Sequence, residues 1–231
     1  MKTTLYLGTD PTQFESQGRA SGHLIHYPVI KIIPRSLDVP ELRFAFDDID
    51  EYTHFIFTSK NAVKVFFTHL ISLQKSAAGL QGKQVIAIGE VTAAHLCAQG
   101  LIPTHLSPEE TQEGVVKLLN TMDLGNAYIF MPRSSLSRPI LANFFHERQV
   151  RYQACDLYDT IPQAITPIPD LDQIDEIVFT SPSTVKAFVE IFGGLPKGKK
   201  CFAIGPVTAQ ALLDVHFVSQ EKKAEGAGRT G

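Results

Sequence analysis

The chain has 231 residues, 44% hydrophobic and 19% charged, with 21 Lys and Arg against 24 Asp and Glu and a net charge of −3. That composition can fill packed cores and excludes global disorder, and the slightly acidic balance excludes nucleic-acid binding by bulk charge. The longest apolar runs, such as Phe55–Phe57 and Val85–Ile88, are far too short to span a bilayer, and MKTTLYLGTDP lacks a signal peptide's apolar region, so a cytoplasmic α/β protein is expected.

In chain order, Leu5–Leu7 reads as a strand, Pro11–Ala20 as a helix and Gly22–Ile30 as a second strand. Phe55–Phe57 is a short buried-strand run, and Thr58-Ser59 after it stands where a helix is capped. Asn61, Val63, Phe66 and Phe67 then follow at helical spacing. Val85–Ile88 repeats the pattern, with Gly89 at the turn into the next helix. Beyond Leu101–His105 come a helix over Thr111–Met122, a strand over Ala127–Met131, a helix over Leu136–Arg148 and a strand over Val150–Tyr158. The strand–turn–helix pattern returns at Ile177–Phe179 with Thr180-Ser181, and again at Cys201–Ile204 with Gly205. The end of the chain, SQEKKAEGAGRTG, has no apolar stripe, so Glu221–Gly231 is expected to be irregular.

Two of these blocks are copies of two others. His54–Phe67 and Glu176–Val189 share six of fourteen positions, and Gln84–Leu96 and Lys200–Leu212 share seven of thirteen. Chance composition supplies about two matches in such comparisons, so the chain contains an internal repeat. Alternating buried strands and helices predict doubly wound parallel sheets, here two domains of about a hundred residues. A tandem cut would fall near Gly125. The extended stretches His23–Pro34 and Val150–Pro162, at matching places in the two copies, allow another cut, in which they run side by side as a double connection.

The residues FTSKNAV, AIGEVTA, MPRSS, LYDT, FTSPSTV and AIGPVTA, in that order and spacing, make the sequence similar to the uroporphyrinogen-III synthase family. The resemblance implies two flavodoxin-like α/β lobes with parallel sheets, a two-stranded connection and a cleft between the lobes. It also implies the discontinuous cut, with residues 1–33 plus 163–231 in one lobe and 34–162 in the other. The implied reaction is cyclisation of hydroxymethylbilane, a linear tetrapyrrole, with inversion of its last pyrrole ring and loss of water, in haem biosynthesis. No cofactor is implied. The chain departs from the family in two places. Gly8-Thr9-Asp10 stands where a basic residue often follows the first strand, which leaves Arg19 as a substitute, and the C-terminal tail lacks the expected helix.

A substrate with eight carboxylates must be held by a protein of net charge −3. Helix N-termini resolve this, because their unpaired N–H groups and partial positive charge bind carboxylates without a basic surface. The expected substrate-binding residues are Thr58, Ser59, Asn61, Gly89, Thr92, Arg133, Ser134, Thr180, Ser181, Ser183, Gly205 and Thr208. Lys60 and Arg138 are further cations, and Pro182 and Pro206 suit first helical turns. Tyr158, in LYDT, is where the resemblance places a tyrosine in the cleft. A phenol with an ordinary pKa near 10 stays protonated at neutral pH and can donate to a leaving hydroxyl. Asp156 and Asp159 are read onto the opposite strand face and given no catalytic role.

No metal site is expected. The close pair His23 and His26 falls on opposite strand faces, and the scattered Cys97, Cys155 and Cys201 form neither a zinc site nor a disulfide framework. A monomer is expected, with no nucleic-acid or membrane partner. The alternative is a non-catalytic two-lobed cytosolic protein binding a small anion, since facing helix N-termini would serve it equally. A nucleotide-dependent transferase is disfavoured by the lack of a glycine-rich phosphate loop.

Overall fold

The computed structural model describes residues 2–16, 18 and 22–215. The expectations for Arg19 and for Glu221–Gly231 lie outside the described residues. The chain divides into two units, Met1–Lys31 with Thr160–Gly231, and Ile32–Asp159.

The elements alternate throughout. β1 (Thr3–Tyr6), α1 (Thr12–Ser16) and β2 (His23–His26) lead into β3 (Ile30–Pro34). The single strand read over Gly22–Ile30 is therefore two, parted at Pro28, which has no N–H to give a ladder. Next come α2 (Pro40–Asp47), β4 (His54–Phe57), α3 (Lys60–Ser72), β5 (Gln84–Ala87), α4 (Glu90–Ala98) and β6 (His105–Leu106). They are followed by α5 (Gln112–Leu119), β7 (Tyr128–Ser134), α6 (Ile140–Glu147) and the long β8 (Arg151–Pro162). α6 begins four residues later than its apolar spacing suggests, because Pro139 takes the N-cap position. β9 (Glu176–Phe179), α7 (Pro182–Phe192), β10 (Lys200–Ala203) and a helix over 206–215, α8, complete the described chain. Sequence reading passed over α2, although Pro40 at its first turn and buried Leu42, Ala45 and Phe46 on one face mark it.

The continuous unit carries the strand order β3-β8-β7-β4-β5-β6. From β8 to β6 every pairing is parallel. Its strands are buried on both faces. Phe55 and Phe57 meet Phe46 of α2, Val63 and Phe66 of α3 and Leu96 of α4. Ile56, Ile86, Ile129 and Met131 meet Val115 and Leu119 of α5 and Leu141 and Phe145 of α6. Alternation along β4 thus feeds two separate cores, and burying each Phe or Ile side chain is worth about 1.5–3 kcal/mol.

The discontinuous unit has the order β10-β9-β1-β2, all parallel. Leu5, Leu7, Ile177 and Phe179 pack with Val185 and Phe188 of α7, while Tyr6 and Val178 meet Phe14 of α1 on the other face. The two units are joined by β3 and β8, which are hydrogen-bonded neighbours. Arg35 N donates to Leu157 O at 2.8 Å and Gln163 N to Val29 O at 2.8 Å. Partner numbers rise as residue numbers fall, the mark of an antiparallel pair. The fold is the two-lobed parallel α/β class expected from the sequence.

Candidate functional site

In a doubly wound sheet, a crevice opens where the strand order reverses, at the carboxyl ends of the two strands that part there. In the continuous unit the chain runs from β4 outward through β5 and β6, then returns to β7 and β8 on the other side. The reversal lies between β4, whose end carries Thr58-Ser59, and β7, whose end carries Arg133-Ser134. In the other unit it lies between β1 and β9, whose ends carry Gly8 and Thr180-Ser181.

Ser59 is the N-cap of α3. Its backbone is extended, and Oγ accepts from Ala62 N at 3.0 Å. The same Oγ lies 2.9 Å from Tyr158 Oη, and either atom can give the proton. Ser134 is paired with Tyr158 in the register of β7 and β8, its hydroxyl helps to hold the phenol's pKa down, and Ser134 Oγ accepts from Leu136 N. The topology therefore brings together Ser59, Ser134 and Tyr158 from three strands adjacent in the sheet. Tyr158 is only 4% exposed, and its ring packs in the core with Phe57 and Leu157. Burial pushes its phenol above the usual tyrosine range, while the bonds to Ser59 and Ser134 pull the other way. The proton is held firmly at neutral pH, and the two hydroxyls are placed to carry charge if it leaves.

A break in register aims Tyr158. Arg133 pairs with Asp156 and Ser134 with Tyr158, so β8 spends one residue more than β7 across that step. Cys155, Leu157 and Tyr158 all enter the same core. Strict alternation would place Asp156 beside Tyr158, and the bulge removes it to the other face with Asp159. There Asp156 Oδ1 accepts from Arg133 Nε at 2.8 Å. Asp159 accepts two bonds from Arg35, at 3.0 and 2.7 Å, and Arg35 Nη1 lies 3.8 Å from Asp156. Arg35 and a bond to Ser135 draw the Asp159 carboxyl down to about 2. Sequence reading missed Arg35. Its only signal was a cation just beyond the first connecting strand, opposite two acids in the second.

The other expected residues are more dispersed. Thr58, Lys60 and Asn61 are half-buried around the α3 N-terminus. Gly89 is the N-cap of α4, and a Cβ there would run into the Glu110 carboxylate. Glu110 Oε1 instead accepts from Glu90 N at 3.2 Å, so this turn already holds a carboxylate of the protein. Thr92 and Thr208 are buried inside their helices at 3% and 4% exposure. Arg138 is engaged by Glu113 through two bonds, at 2.6 and 2.8 Å.

In the discontinuous unit Ser181 caps α7 within a capping box. Ser181 Oγ accepts from Thr184 N at 3.3 Å, and Thr184 Oγ1 accepts from Ser181 N at 3.2 Å. Thr184 Oγ1 also accepts from Thr180 N at 3.1 Å, while Ser183 in the first turn is half-buried. Gly8 lies close against this turn, since a Cβ on it would approach Thr180 Cγ2 to 2.7 Å and the Tyr6 ring to 2.8 Å. Tyr6 Oη donates to Asp10 O, and burial with the nearby Asp10 carboxylate raises its phenol to about 12. At Gly205, which precedes α8, no described atom lies within 4 Å of where a Cβ would stand. Among the described residues no group of three His, Cys, Asp or Glu could hold a metal, and no helix is long and apolar enough to cross a membrane.

Two parallel, doubly wound units joined by a pair of crossing strands, with hydroxyl-capped helices at both reversal points, define a two-lobed α/β protein. The chain belongs to the uroporphyrinogen-III synthase HemD family, which matches residues 13–227. Among curated proteins, the uroporphyrinogen-III synthase of Chlorobaculum parvum is 28% identical over 200 residues, covering 80% of this chain and 77% of that one. The porphyrin biosynthesis protein HemD of Ruminiclostridium josui is 25% identical over 86% of this chain, which spans 41% of that longer protein. Crystal structures of the uroporphyrinogen III synthases of Thermus thermophilus and Helicobacter pylori share the fold at TM-scores of 0.64 and 0.60, each with 19% identity. They cover 94% and 93% of this chain, and 90% and 89% of theirs is covered.

Proposed function

We propose that the chain is a uroporphyrinogen-III synthase, a cyclising lyase that closes hydroxymethylbilane with inversion of its last pyrrole ring and releases water. The family match over residues 13–227 carries the reading, and the hydroxyl cluster at Tyr158 supplies the chemistry. The bond from the terminal methylene carbon to its hydroxyl must break. Tyr158 gives its proton to the departing oxygen, which leaves as water, and the carbon becomes an azafulvene-like cation. The substituted carbon of the last ring attacks that cation to form a spiro intermediate, which reopens and recloses with the ring inverted. The proton lost on rearomatisation returns to Tyr158, while Ser59 and Ser134 stabilise its phenolate in the interval. Uncatalysed closure occurs without inversion, so restricting geometry is the larger task.

The substrate's carboxylates are assigned to the helix N-termini. These are the turns of Thr58, Ser59, Asn61, Arg133 and Ser134 in one unit and of Thr180, Ser181, Ser183 and Gly205 in the other. The Gly89 turn is taken by Glu110, and Thr92 and Thr208 are buried within their helices. The enzyme works without a metal or redox cofactor, as a cytoplasmic monomer, with lobes of residues 1–33 plus 163–231 and 34–162. A non-catalytic anion-binding role is not favoured, because the matching curated relatives carry the enzyme's name. The test is to add the purified protein to freshly generated hydroxymethylbilane and separate the oxidised uroporphyrin isomers. Accumulation of the type III isomer supports the proposal, and type I alone at the spontaneous rate overturns it.

A further inference from the structure

We propose that Asp156 and Asp159, gripped by Arg133 and Arg35, are positioning residues that hold the β8 bulge in the one register that aims Tyr158 at Ser59 and Ser134. The inference rests on Tyr158 as proton donor. The bulge is a weak point, because a one-residue slip in a strand carries every side chain to the opposite face. Here a slip would turn the Tyr158 hydroxyl away from the α3 N-terminus. The grip comes from both sides of β8. Arg133 reaches Asp156 from the neighbouring β7, and Arg35 reaches Asp159 and Asp156 from the chain just beyond β3, β8's other neighbour. The backbone is held in the same way, with Arg35 N donating to Leu157 O at 2.8 Å and Ser135 N donating to Tyr158 O at 3.1 Å. The carboxylates thus bracket Tyr158 in sequence while facing away from it.

These side chains are partly exposed, Arg133 at 23% and Asp159 at 38%, so the pairs add little to overall stability. The geometry is nevertheless specific, because Arg35 spans two carboxylates with a planar fork that Lys lacks. Such a group is expected to govern orientation more than folding.

Arg35→Ala tests this by steady-state kinetics and thermal melting, alone and combined with Tyr158→Phe. In the otherwise native chain kcat should fall about ten- to a hundredfold, the scale of an ångström of misplacement, with KM nearly constant. The melting temperature should move by no more than about 2 °C. Arg35→Lys should recover part of the loss. In the Tyr158→Phe background the same change should cost less than about twofold, because no phenolic proton remains to be aimed. An unchanged kcat, a change confined to KM, or an equal fall in both backgrounds would overturn the proposal. If Arg35→Ala does not fold, Asp159→Asn removes the ion pair at constant size and is read the same way. Failure of the donor assignment is separately visible, as a Tyr158→Phe single variant with full activity.

Discussion

At the residue scale the central group is a buried phenol with two hydroxyl neighbours. A tyrosine at 4% exposure could serve packing alone, and the two roles separate on removal of one oxygen. Tyr158→Phe keeps the ring in its core, so the melting temperature and KM should barely change. Turnover should drop by about 10²–10⁴-fold, the usual worth of general acid assistance. The product should remain type III if lobe geometry sets the isomer, so the assay reads rate and isomer ratio separately. Full retention of rate would leave Tyr158 a packing residue.

At the element scale, the caps and the buried imidazoles set stability. Ser181→Ala removes one arm of the α7 capping box and should cost about 1 kcal/mol, seen as a lower denaturant midpoint with unchanged slope. His54 on β4 and His69 on α3 are both buried, and His69 Nε2 has no hydrogen-bond partner among the described residues. Burial lowers both imidazoles below the ordinary 6.5, with His105 adding to the effect at His54. Below about pH 6.5 the unfolded chain therefore takes up protons that the folded chain declines. Stability should be flat above that pH and fall as the pH drops through 6 toward 5. Melting temperatures across that range check the sign, and His69→Leu should make the decline shallower.

On the scale of the whole molecule, the repeat is permuted in space. β4 and β5 correspond in sequence to β9 and β10, and each pair is flanked on the same side by two strands, β7 and β8 or β1 and β2, with β3 and β6 as added edges of the larger sheet. These four strands therefore share one spatial order in both units, but the chain enters them at different strands. In register, Arg133 and Gly8 hold equivalent places, each four residues beyond the partner of the first β4 or β9 residue. This is where one unit lacks the cation of the other. In the discontinuous unit β9 pairs with β1 of the N-terminal segment, so the C-terminal segment alone keeps only β9 and β10 and leaves the β9 edge that faces β1 unpaired. A fragment of residues 32–159 should unfold cooperatively in denaturant, whereas residues 160–231 alone should show no cooperative transition. Cooperative unfolding of the second fragment would contradict the topology.

The sequence alone determined most strands and helices, the repeat and the turns, but not α2 or the break at Pro28. Short β-branched and aromatic runs can only be buried, and Ser, Thr and Gly at strand ends mark where helices begin. It also carried the family through six spaced segments. It did not determine which turns meet. Ser59, Ser134 and Tyr158 are separated by up to 99 residues, and only the reversal of strand order between β4 and β7 brings them together. The sequence reading put Asp156 on the face opposite Tyr158, but strict alternation does not give that placement: the extra residue in β8 does, and a bulge depends on the register with a neighbouring strand. The Gly89 turn is occupied by Glu110, twenty residues beyond Glu90, for the same reason. Local propensity writes the elements, but contacts between distant segments exist only once the sheet has set their order.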